Sequence, residues 1–354
     1  MKFLNLLKQT ARKLTESLGT ESLSKADSAL DLTPKSIPQT EAPSFAESFR
    51  QSFFAEKPVD LSSMEHFRRD KFPDSGPVPW LDRPDAQQRI QAKLDAGILS
   101  PQEADLCRLW VAQGYLILSQ VIEDQELDRI WQAYQAAVDS GVVPLQPEKA
   151  GEEDAYPGRY LNPHFLVPEL KEVLHHPTLL RWAEILTERK PIPFQTIVSH
   201  KGSQQAVHSD AIHMTTYPHG YLTASWLAFE DIHPESGPLI YYPGSHRLPY
   251  LLSQDVNIPM GPQTECYDGY YQQYEPAIAA LIQGKQLQPA YFHAKKGDVL
   301  FWHHNLLHGG SRRQDLQFSR RAIVCHYYSE GAFSYYDIVG MKAGFYEKPE
   351  TVQK

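Results

Sequence analysis

The pattern that most constrains the fold is a series of short β-forming runs in the second half of the chain. They are separated by turn-forming residues and are rich in β-branched and aromatic residues, which favour strands. The runs are FQTIVSH (194–200), LTASWLAFEDI (222–232), PLIYYPGSH (238–246), DVLFW (298–302) and RRAIVCHYY (320–328). Many short strands of this kind are typical of a sandwich or jelly roll.

Helical patterns precede these runs. Residues 85–97 are predicted to form a helix that ends at Gly97. Residues 100–114 are predicted to form a second helix, with Ser100 as its N-cap and Gly114 at its end. Further elements are expected as a strand at 115–119 and helical stretches at 123–141 and 168–190. Helices followed by strands predict an α+β domain.

The first 84 residues have a different character. Apolar residues recur at helical spacing on a basic background in residues 2–18. This helix either docks on its own domain or frays, which we favour, or it lies on an anionic membrane surface or acts as a transit peptide. Residues 19–84 are rich in Ser, Thr, Glu and Pro. We expect them to be a partly disordered linker or a segment draped over the domain.

Composition excludes several classes of protein. The 354 residues carry a net charge of −9, which argues against a nucleic-acid-binding surface. No run of 18 apolar residues is present, so we expect no transmembrane segment. The three cysteines are far apart in sequence and indicate a reducing compartment with buried, inert thiols. We therefore expect a cytoplasmic protein, with peripheral membrane contact only through residues 2–18.

The stretch AVHSDAIH (206–213) contains a histidine and an aspartate two positions apart. In an extended segment, side chains at positions i and i+2 point to the same face, so His208 and Asp210 would lie side by side with Ser209 turned away. By itself His208 is more simply explained as a hydrogen-bonded core histidine. The pair becomes a metal site only if the chain supplies a third ligand.

A candidate third ligand lies in KKGDVLFWHHNLLHGGSRR (295–313). A buried strand is followed by His303, His304 and His308, and two glycines come directly after His308. Glycines let backbone and small ligands approach closely. We therefore choose His308 as the third ligand over His303 and His304.

Two histidines and one carboxylate leave three positions of an octahedral metal open, which is typical of non-haem Fe(II) oxygenases. Catalytic zinc uses the same donors. A zinc or manganese hydrolase or isomerase on a cupin-like barrel therefore remains the alternative, as does a non-catalytic binding module. An oxygenase of this kind needs a cation for the distal carboxylate of 2-oxoglutarate. Arg320 and Arg321 open the last β run, and only one of them can point inward.

Four stretches together resemble the phytanoyl-CoA dioxygenase family of Fe(II)/2-oxoglutarate-dependent oxygenases. They are HSDAIH (208–213), ASWLAFEDIHPESGPLIYYPGSHR (224–247), KKGDVLFWHHNLLHGGS (295–311) and SRRAIVCHYY (319–328). The resemblance covers roughly residues 105–330, as judged by motif order. It implies a double-stranded β-helix (jelly-roll, cupin-like) core with flanking helices, and a catalytic domain over residues 85–354.

By this resemblance, His208, Asp210 and His308 correspond to the catalytic Fe(II) ligands. Arg320 corresponds to the arginine that binds 2-oxoglutarate. The chain has one extra residue between His308 and this arginine, so Arg321 is retained as a second candidate.

Three further residues correspond to cosubstrate contacts. Trp226 occupies a place where the family often has a tryptophan that lines the 2-oxoglutarate pocket, and Gln195 lies where an amide commonly assists. Both are equally well explained as core residues. The family often has a serine two residues after the distal histidine, but this chain has Gly310 there, followed by Ser311. Ser311 is therefore the third candidate contact.

The implied reaction is hydroxylation of an unactivated C–H bond, with O2 and 2-oxoglutarate as cosubstrates and succinate and CO2 as products. In related halogenases a small residue replaces the carboxylate ligand, so Asp210 favours hydroxylation. Outside the N-terminus we find no basic cluster that would bind the phosphates of coenzyme A. The substrate is expected to be a small or lipid-like metabolite.

Two other groups of residues are candidates for the substrate side. Residues 250–294 lie between core strands and include Tyr267, Tyr270, Tyr271 and Tyr274. They either line a substrate mouth beneath a lid or belong to an amphipathic surface insertion, which we favour. Gln204 and Gln205 precede the HxD pair and either face substrate or satisfy backbone groups.

Overall fold

The computed structural model of the protein describes residues 66–72, 76–145 and 158–343. The predicted helix at residues 2–18 and most of the predicted linker lie outside these ranges. Within them, no helix is both long enough and apolar enough to cross a lipid bilayer.

Helices dominate the first half of the described chain, and three more lie among the strands of the second half. In chain order the helices are α1 (Ala86–Asp95), α2 (Pro101–Gln113), α3 (Asp124–Asp139), α4 (Glu169–Leu174), α5 (Pro177–Thr187), the short α6 (Asp210–His213), α7 (Gln263–Gly269) and α8 (Glu275–Gly284). A π-helical segment, Tyr270–Tyr274, joins α7 to α8. Short 3-10 turns lie at Arg69–Lys71, Trp80–Asp82, Pro163–Phe165, Pro234–Ser236 and Ser245–Arg247.

The predicted ends of the first two helices are confirmed. Gly97 and Gly114 follow α1 and α2 with φ of 69° and 78°. This left-handed conformation suits glycine at the end of a helix. At the start of α2, Ser100 and Glu103 cap each other's backbone N–H groups and form a capping box.

The single helical stretch expected at 168–190 is wrong in one respect, because it is two helices. α4 ends at Leu174 and α5 begins at Pro177. Proline has no backbone N–H to continue a helix, but its fixed φ suits the first helical position. Pro177 therefore starts a new helix in a new direction.

Strands occupy most of the second half. They are β1 (Tyr115–Leu118), β2 (Arg159–Leu161), β3 (Pro191–Ser199), β4 (Thr215–Tyr217), β5 (Leu222–Ala228), β6 (Leu239–Tyr241), β7 (Ala290–Phe292), β8 (Val299–His303), β9 (His308–Gly310), β10 (Ala322–Ser329), β11 (Phe333–Tyr336) and β12 (Met341–Lys342). All their pairings are antiparallel. The predicted mixture of helices and antiparallel strands is confirmed.

The strands form one large sheet and two small ones. The six-stranded sheet has the order β1-β8-β5-β10-β3-β2, and the three-stranded sheets have the orders β12-β11-β4 and β7-β6-β9. Side chains alternate between the faces of the large sheet. Phe301 and Ile323 point to a core shared with the N-terminal helices, whereas Trp226 and Trp302 point to a core shared with β6 and β7. The second face is the one on which the site described below is built.

The expected domain boundary at residue 84 divides residues that pack together. Phe67, Trp80 and Leu81, all assigned to the linker by sequence, are buried. Arg68 is also buried and donates hydrogen bonds to the carbonyl oxygens of Ile258 and Ile338. The packed unit therefore extends to residue 66 at least, because these apolar side chains complete the core.

The prediction for the cysteines is confirmed. Cys107, Cys266 and Cys325 are free and buried. Burial raises the pKa of the Cys325 thiol to about 12 and also raises that of Cys107. A thiol that does not ionise is a poor nucleophile and a poor metal ligand.

Candidate functional site

Two histidines from distant parts of the sequence are paired through their backbones. His308 is the first residue of β9, and His208 lies in the segment between β3 and α6. Each donates its backbone N–H to the carbonyl oxygen of the other, both at 2.8 Å. The pairing forms an isolated antiparallel bridge and holds the two imidazole rings with centroids 4.7 Å apart.

The backbone also fixes how each ring is used. Nδ1 of His208 lies 2.8 Å from the carbonyl oxygen of Ala206, and Nδ1 of His308 lies 2.9 Å from that of Leu306. A carbonyl oxygen only accepts, so each Nδ1 donates, and each ring turns its Nε2 toward Asp210. Burial lowers the pKa of His208 well below its usual value, so the ring is neutral, as a metal ligand must be.

Asp210 completes the cluster, but not from an extended strand. The extended conformation stops at Ser209, and Asp210 is the first residue of α6, so the expected strand geometry is wrong beyond Ser209. Asp210 Oδ1 nevertheless lies 3.5 Å from His308 Nε2 and 3.9 Å from His208 Nε2. All three ligand atoms lie within 4.8 Å of one another. The predicted triad is therefore brought together.

The charge of Asp210 is maintained although the side chain is buried. Burial acts to raise its pKa, but His308 and the other neighbouring imidazoles hold the pKa well below its usual range. The carboxylate is thus ionised and supplies a negative charge to the cluster. Two nitrogen donors and one carboxylate oxygen are the donor set that Fe(II) and related divalent metals accept.

The three residues lie in the wall of a cavity of about 590 Å³. Gln195, Trp226 and Arg320, which the sequence singled out, line the same cavity. Its size is within the usual range for small-molecule sites. His303 and His304 do not line it. His303 Nε2 lies 3.2 Å from an oxygen of Asp82, and His304 is buried elsewhere.

The structure distinguishes the two adjacent arginines by the direction of their side chains. Arg320 points into the cavity and is buried, and the one hydrogen bond of its guanidinium to the described protein goes to the carbonyl oxygen of Gly237 at 2.9 Å. Burial lowers its pKa only to about 10, so it is charged at neutral pH. Arg321 is exposed and lies 3.5 Å from Glu230. A buried cation without a carboxylate partner is costly unless a ligand supplies one.

The other predicted cosubstrate residues differ in where they lie. Gln195 is buried in the cavity wall, and its side-chain oxygen has no hydrogen-bond partner within the described protein. The ring of Trp226 lies 5.9 Å from the guanidinium of Arg320. Both are buried in the large sheet, and their contact with a cosubstrate stays a prediction.

The prediction for Ser311 is not supported by its position. Its hydroxyl donates to the carbonyl oxygen of Pro238 at 2.7 Å, and the residue does not line the cavity. A side chain at Gly310 would collide with Ser203 Oγ and would lie 2.7 Å from the backbone nitrogen of Gln204. Ser203 does line the cavity, so it brings a hydroxyl to the place where a serine at position 310 would lie.

Sequence reasoning missed several residues of the cavity wall. Arg159 on β2, Trp302 on β8 and His326 on β10 all line it. For His326 a signal was available, because it lies six residues after Arg320 and alternation puts both on one face of a strand. For Arg159 no signal was available, since its short strand is defined only by pairing with β3.

The tyrosines of residues 250–294 divide between the cavity wall and the core. Tyr267 and Tyr271 line the cavity, whereas Tyr270 and Tyr274 are buried beneath them. Tyr274 accepts the backbone N–H of Ser209 at 3.1 Å and so supports the segment between His208 and Asp210. Likewise, Gln205 lines the cavity, and Gln204 accepts a backbone N–H of Arg313.

Comparison with known proteins follows this geometry. The signature of phytanoyl-CoA dioxygenase (PhyH) matches residues 110–322. The chain belongs to the phytanoyl-CoA dioxygenase family. The peroxisomal phytanoyl-CoA dioxygenase of Bos taurus is 21% identical over an aligned length of 282 residues, and the match covers 74% of this chain and 77% of that protein. The Homo sapiens enzyme is 22% identical over 277 residues, again 74% and 77%. The prediction of a 2-oxoglutarate-dependent dioxygenase is confirmed by family membership.

Solved structures agree on the fold. EctD from S. alaskensis with bound Fe is 18% identical and has a TM-score of 0.53, covering 70% of this chain and 83% of its own. The alpha-ketoglutarate-dependent carbocyclase SnoK from nogalamycin biosynthesis is 18% identical with a TM-score of 0.52, covering 74% and 90%. At these identities the likeness concerns the fold, and the roles of individual residues must be argued from the site itself.

Proposed function

We propose that this protein uses Fe(II), 2-oxoglutarate and O2 to hydroxylate an unactivated C–H bond of a small, largely apolar substrate. His208, Asp210 and His308 would hold the iron, and Arg320 would bind the distal carboxylate of 2-oxoglutarate. The observation that carries the proposal is that one cavity contains both a His/Asp/His triad and a fully buried arginine with no carboxylate partner in the described chain.

The triad suits a catalytic metal better than a structural one. Its three donors would hold a metal in the cavity wall, and three donors would leave coordination positions for cosubstrates. The metal with its cosubstrates supplies an oxidant able to break a C–H bond. The role of the protein is to orient the donors, and the two Nδ1 hydrogen bonds to backbone carbonyls leave the Nε2 atoms for a metal.

The remainder of the cavity suits 2-oxoglutarate. Arginine presents a planar fork that matches a carboxylate, and Arg320 is desolvated, so its hydrogen bonds to an anion would be strong. Trp226 would pack along the cosubstrate, and the side-chain NH2 of Gln195 and the hydroxyl of Ser203 would donate to its oxygens. Arg159 would add a second positive charge to this wall.

We further propose that the sheets form a double-stranded β-helix. The inner face of the large sheet shares one core with β6 and β7, and the rings of Trp226 and Phe292 meet across it at 5.6 Å. Two antiparallel sheets that face each other across such a core are what a jelly roll requires.

The rim of the cavity supports an apolar substrate. Eight large apolar side chains are exposed within the described chain, and three of them, Leu161, Tyr271 and Met341, line this cavity. Single exposed apolar side chains are common on protein surfaces, but their grouping at a cavity mouth is typical of ligand-binding sites. A lipid-like or polycyclic substrate would cover these side chains.

Anaerobic titration of the purified protein with Fe(II) and 2-oxoglutarate tests the proposal. The wild type should develop the visible metal-to-ligand charge-transfer band of a chelated complex. His308→Ala should lose the band because the metal loses a ligand. Arg320→Ala should keep it but need far more 2-oxoglutarate, since a desolvated charge-assisted contact is worth about 1.5–3 kcal/mol.

Arg321→Ala is the matched control. Its side chain is adjacent in sequence and has the same charge, but it is exposed and lies beside Glu230. It should titrate like the wild type. Absence of the band in wild-type protein with bound iron, at any 2-oxoglutarate concentration, would refute the proposed function. An equal loss in Arg320→Ala and Arg321→Ala would refute the role given to Arg320.

A further inference from the structure

Trp302 contacts two of the three proposed iron ligands. Its indole N–H donates to Asp210 Oδ2 at 2.7 Å, and its ring packs on the ring of His308 with centroids 4.7 Å apart. Trp302 and Asp210 are buried, with 2% and 5% of their surface exposed. Trp302 lies on β8, paired with Ala224 of β5 and Tyr115 of β1, so the large sheet fixes its position.

The indole uses one oxygen of the Asp210 carboxylate and leaves the other for the metal. Oδ2 faces Trp302, whereas Oδ1 faces the Nε2 atoms of His308 and His208. His326 Nε2 also lies near Oδ2, but at 3.7 Å it is beyond hydrogen-bond distance. The indole thus gives the two oxygens of one carboxylate different tasks.

This division affects the number of free metal positions. An octahedral metal with two imidazoles and one carboxylate oxygen has three positions left, enough for a chelating cosubstrate and O2. A carboxylate that binds through both oxygens occupies one more, and carboxylates bind metals in either mode. A group that holds Oδ2 away from the metal therefore keeps the third position open.

We infer that Trp302 is a positioning residue that restricts Asp210 to binding the metal through Oδ1 alone. The inference rests on the proposed function, because it concerns the same metal. The indole N–H is the feature that matters. The preceding residues of β8 are the apolar Val299, Leu300 and Phe301. A phenylalanine at position 302 would therefore suit the packing of this strand, but it could not donate a hydrogen bond to Asp210.

The test compares Trp302→Phe with the wild type in two separate titrations. Phenylalanine keeps an aromatic ring beside His308 but removes the donor. Co(II) and Fe(II) binding should change little, because all three ligands remain and Asp210 can use both oxygens. The 2-oxoglutarate concentration needed for the charge-transfer band should rise about tenfold, since the cosubstrate must displace the second oxygen. This division between metal and cosubstrate is not expected from a general loss of stability.

Trp182→Phe is the matched control. Trp182 is buried on α5 among apolar side chains of the other face of the large sheet. It should show neither effect. If Trp302→Phe binds 2-oxoglutarate as tightly as the wild type, or if metal and cosubstrate affinity fall together, the positioning role is wrong while the proposed function stands. If the wild type forms no band, both fall.

A structure of the wild type with Mn(II) and 2-oxoglutarate provides a test that does not depend on a variant. The inference requires Asp210 to bind the metal through Oδ1, with Oδ2 still within hydrogen-bond distance of Trp302 Nε1. Coordination through both oxygens, or loss of the indole contact, overturns it. This result decides the matter even if Trp302→Phe does not fold.

Discussion

His208 and His308 are a backbone-paired couple, and each donates its N–H to the carbonyl oxygen of the other at 2.8 Å. The pairing brings together residues that are 100 positions apart in the sequence. The two backbone hydrogen bonds, and not side-chain packing alone, therefore set the distance between these two proposed ligands. Residues beside the couple should therefore affect the site through the backbone.

Gly309, which follows His308, lies close to the backbone of the segment that bears His208. A Cβ at this position would lie 2.8 Å from the carbonyl oxygen of Gln205 and 3.1 Å from Cα of Val207. These are backbone atoms that cannot rotate away. We expect Gly309→Ala to lower the free energy of unfolding by about 1–3 kcal/mol and to weaken metal binding. Chemical denaturation and Co(II) titration measure the two effects.

Gly284→Ala is the control for Gly309→Ala. Gly284 is the last residue of α8, and a Cβ there would meet nothing within 4 Å. It should be neutral or slightly stabilising, because alanine has the higher helix propensity. Equal stability and equal metal affinity in Gly309→Ala and wild type would show that the segment bearing His208 moves freely, contrary to the pairing described.

Ser203 and Ser311 are predicted to differ in their effect on the cosubstrate. Ser203 lines the cavity, whereas the Ser311 hydroxyl donates to Pro238. Ser203→Ala should weaken 2-oxoglutarate binding by roughly 0.5–1.5 kcal/mol, the usual contribution of one hydrogen bond, without changing Fe(II) affinity. Ser311→Ala should leave 2-oxoglutarate binding unchanged. If Ser311→Ala, and not Ser203→Ala, weakens 2-oxoglutarate binding in the anaerobic titration, Ser311 is the residue that contacts the cosubstrate.

Asp337 should make the free energy of unfolding depend on pH. It is buried, Oδ2 accepts the backbone N–H of Ser253, and Oδ1 has no partner in the described protein. Burial raises its pKa from the usual 3.8 to about 6. The folded state therefore holds this proton more tightly than the unfolded state, so the contribution is fully present below pH 4 and is lost as pH rises through 6.

Replacing Asp337 by Asn should remove that contribution. The difference in unfolding free energy between Asp337→Asn and wild type should shift by about 3 kcal/mol in favour of the variant between pH 4 and pH 7, at 1.36 kcal/mol per pKa unit. Urea denaturation at several pH values measures it. Asp268→Asn, on the exposed side of α7, is the control and should show no such trend. A constant difference between Asp337→Asn and wild type would contradict the assignment.

Arg68 and its neighbour Arg69 test whether residues before 76 belong to the packed unit. The buried Arg68 guanidinium donates to the carbonyl oxygens of Ile258, Pro259 and Ile338, at 2.7, 2.9 and 2.6 Å. Arg68→Ala should cost about 3 kcal/mol, because three buried acceptors lose a charged donor. Thermal or chemical unfolding measures it.

Arg69→Ala is the comparison for Arg68→Ala. Its side chain is 41% exposed and pairs with Asp255 at 3.3 Å. Exposed ion pairs contribute about 0–1 kcal/mol, so the variant should be close to wild type. Similar small effects of both substitutions would mean that residues 66–72 contribute little to the fold.

Local sequence determined much of what this protein is. Helix ends at Gly97 and Gly114 follow from residues that favour a left-handed conformation, and the capping box at Ser100 is a local contact. Alternation along a strand indicated that only one of the adjacent Arg320 and Arg321 can point inward. The order of motifs identified the family and the three candidate ligands, because these signals depend on spacing along the chain.

Only the tertiary structure decided which way side chains point and which distant residues meet. It turned Arg320 inward and Arg321 outward, placed Ser203 and not Ser311 in the cavity wall, and brought the Trp302 indole to the Asp210 carboxylate across 92 residues of sequence. It also packed side chains from residues 66–72 and 76–82, which looked like linker, against the core. These outcomes depend on which strands pair and in what register. Register is set by the burial of whole faces of a sheet and not by any single segment.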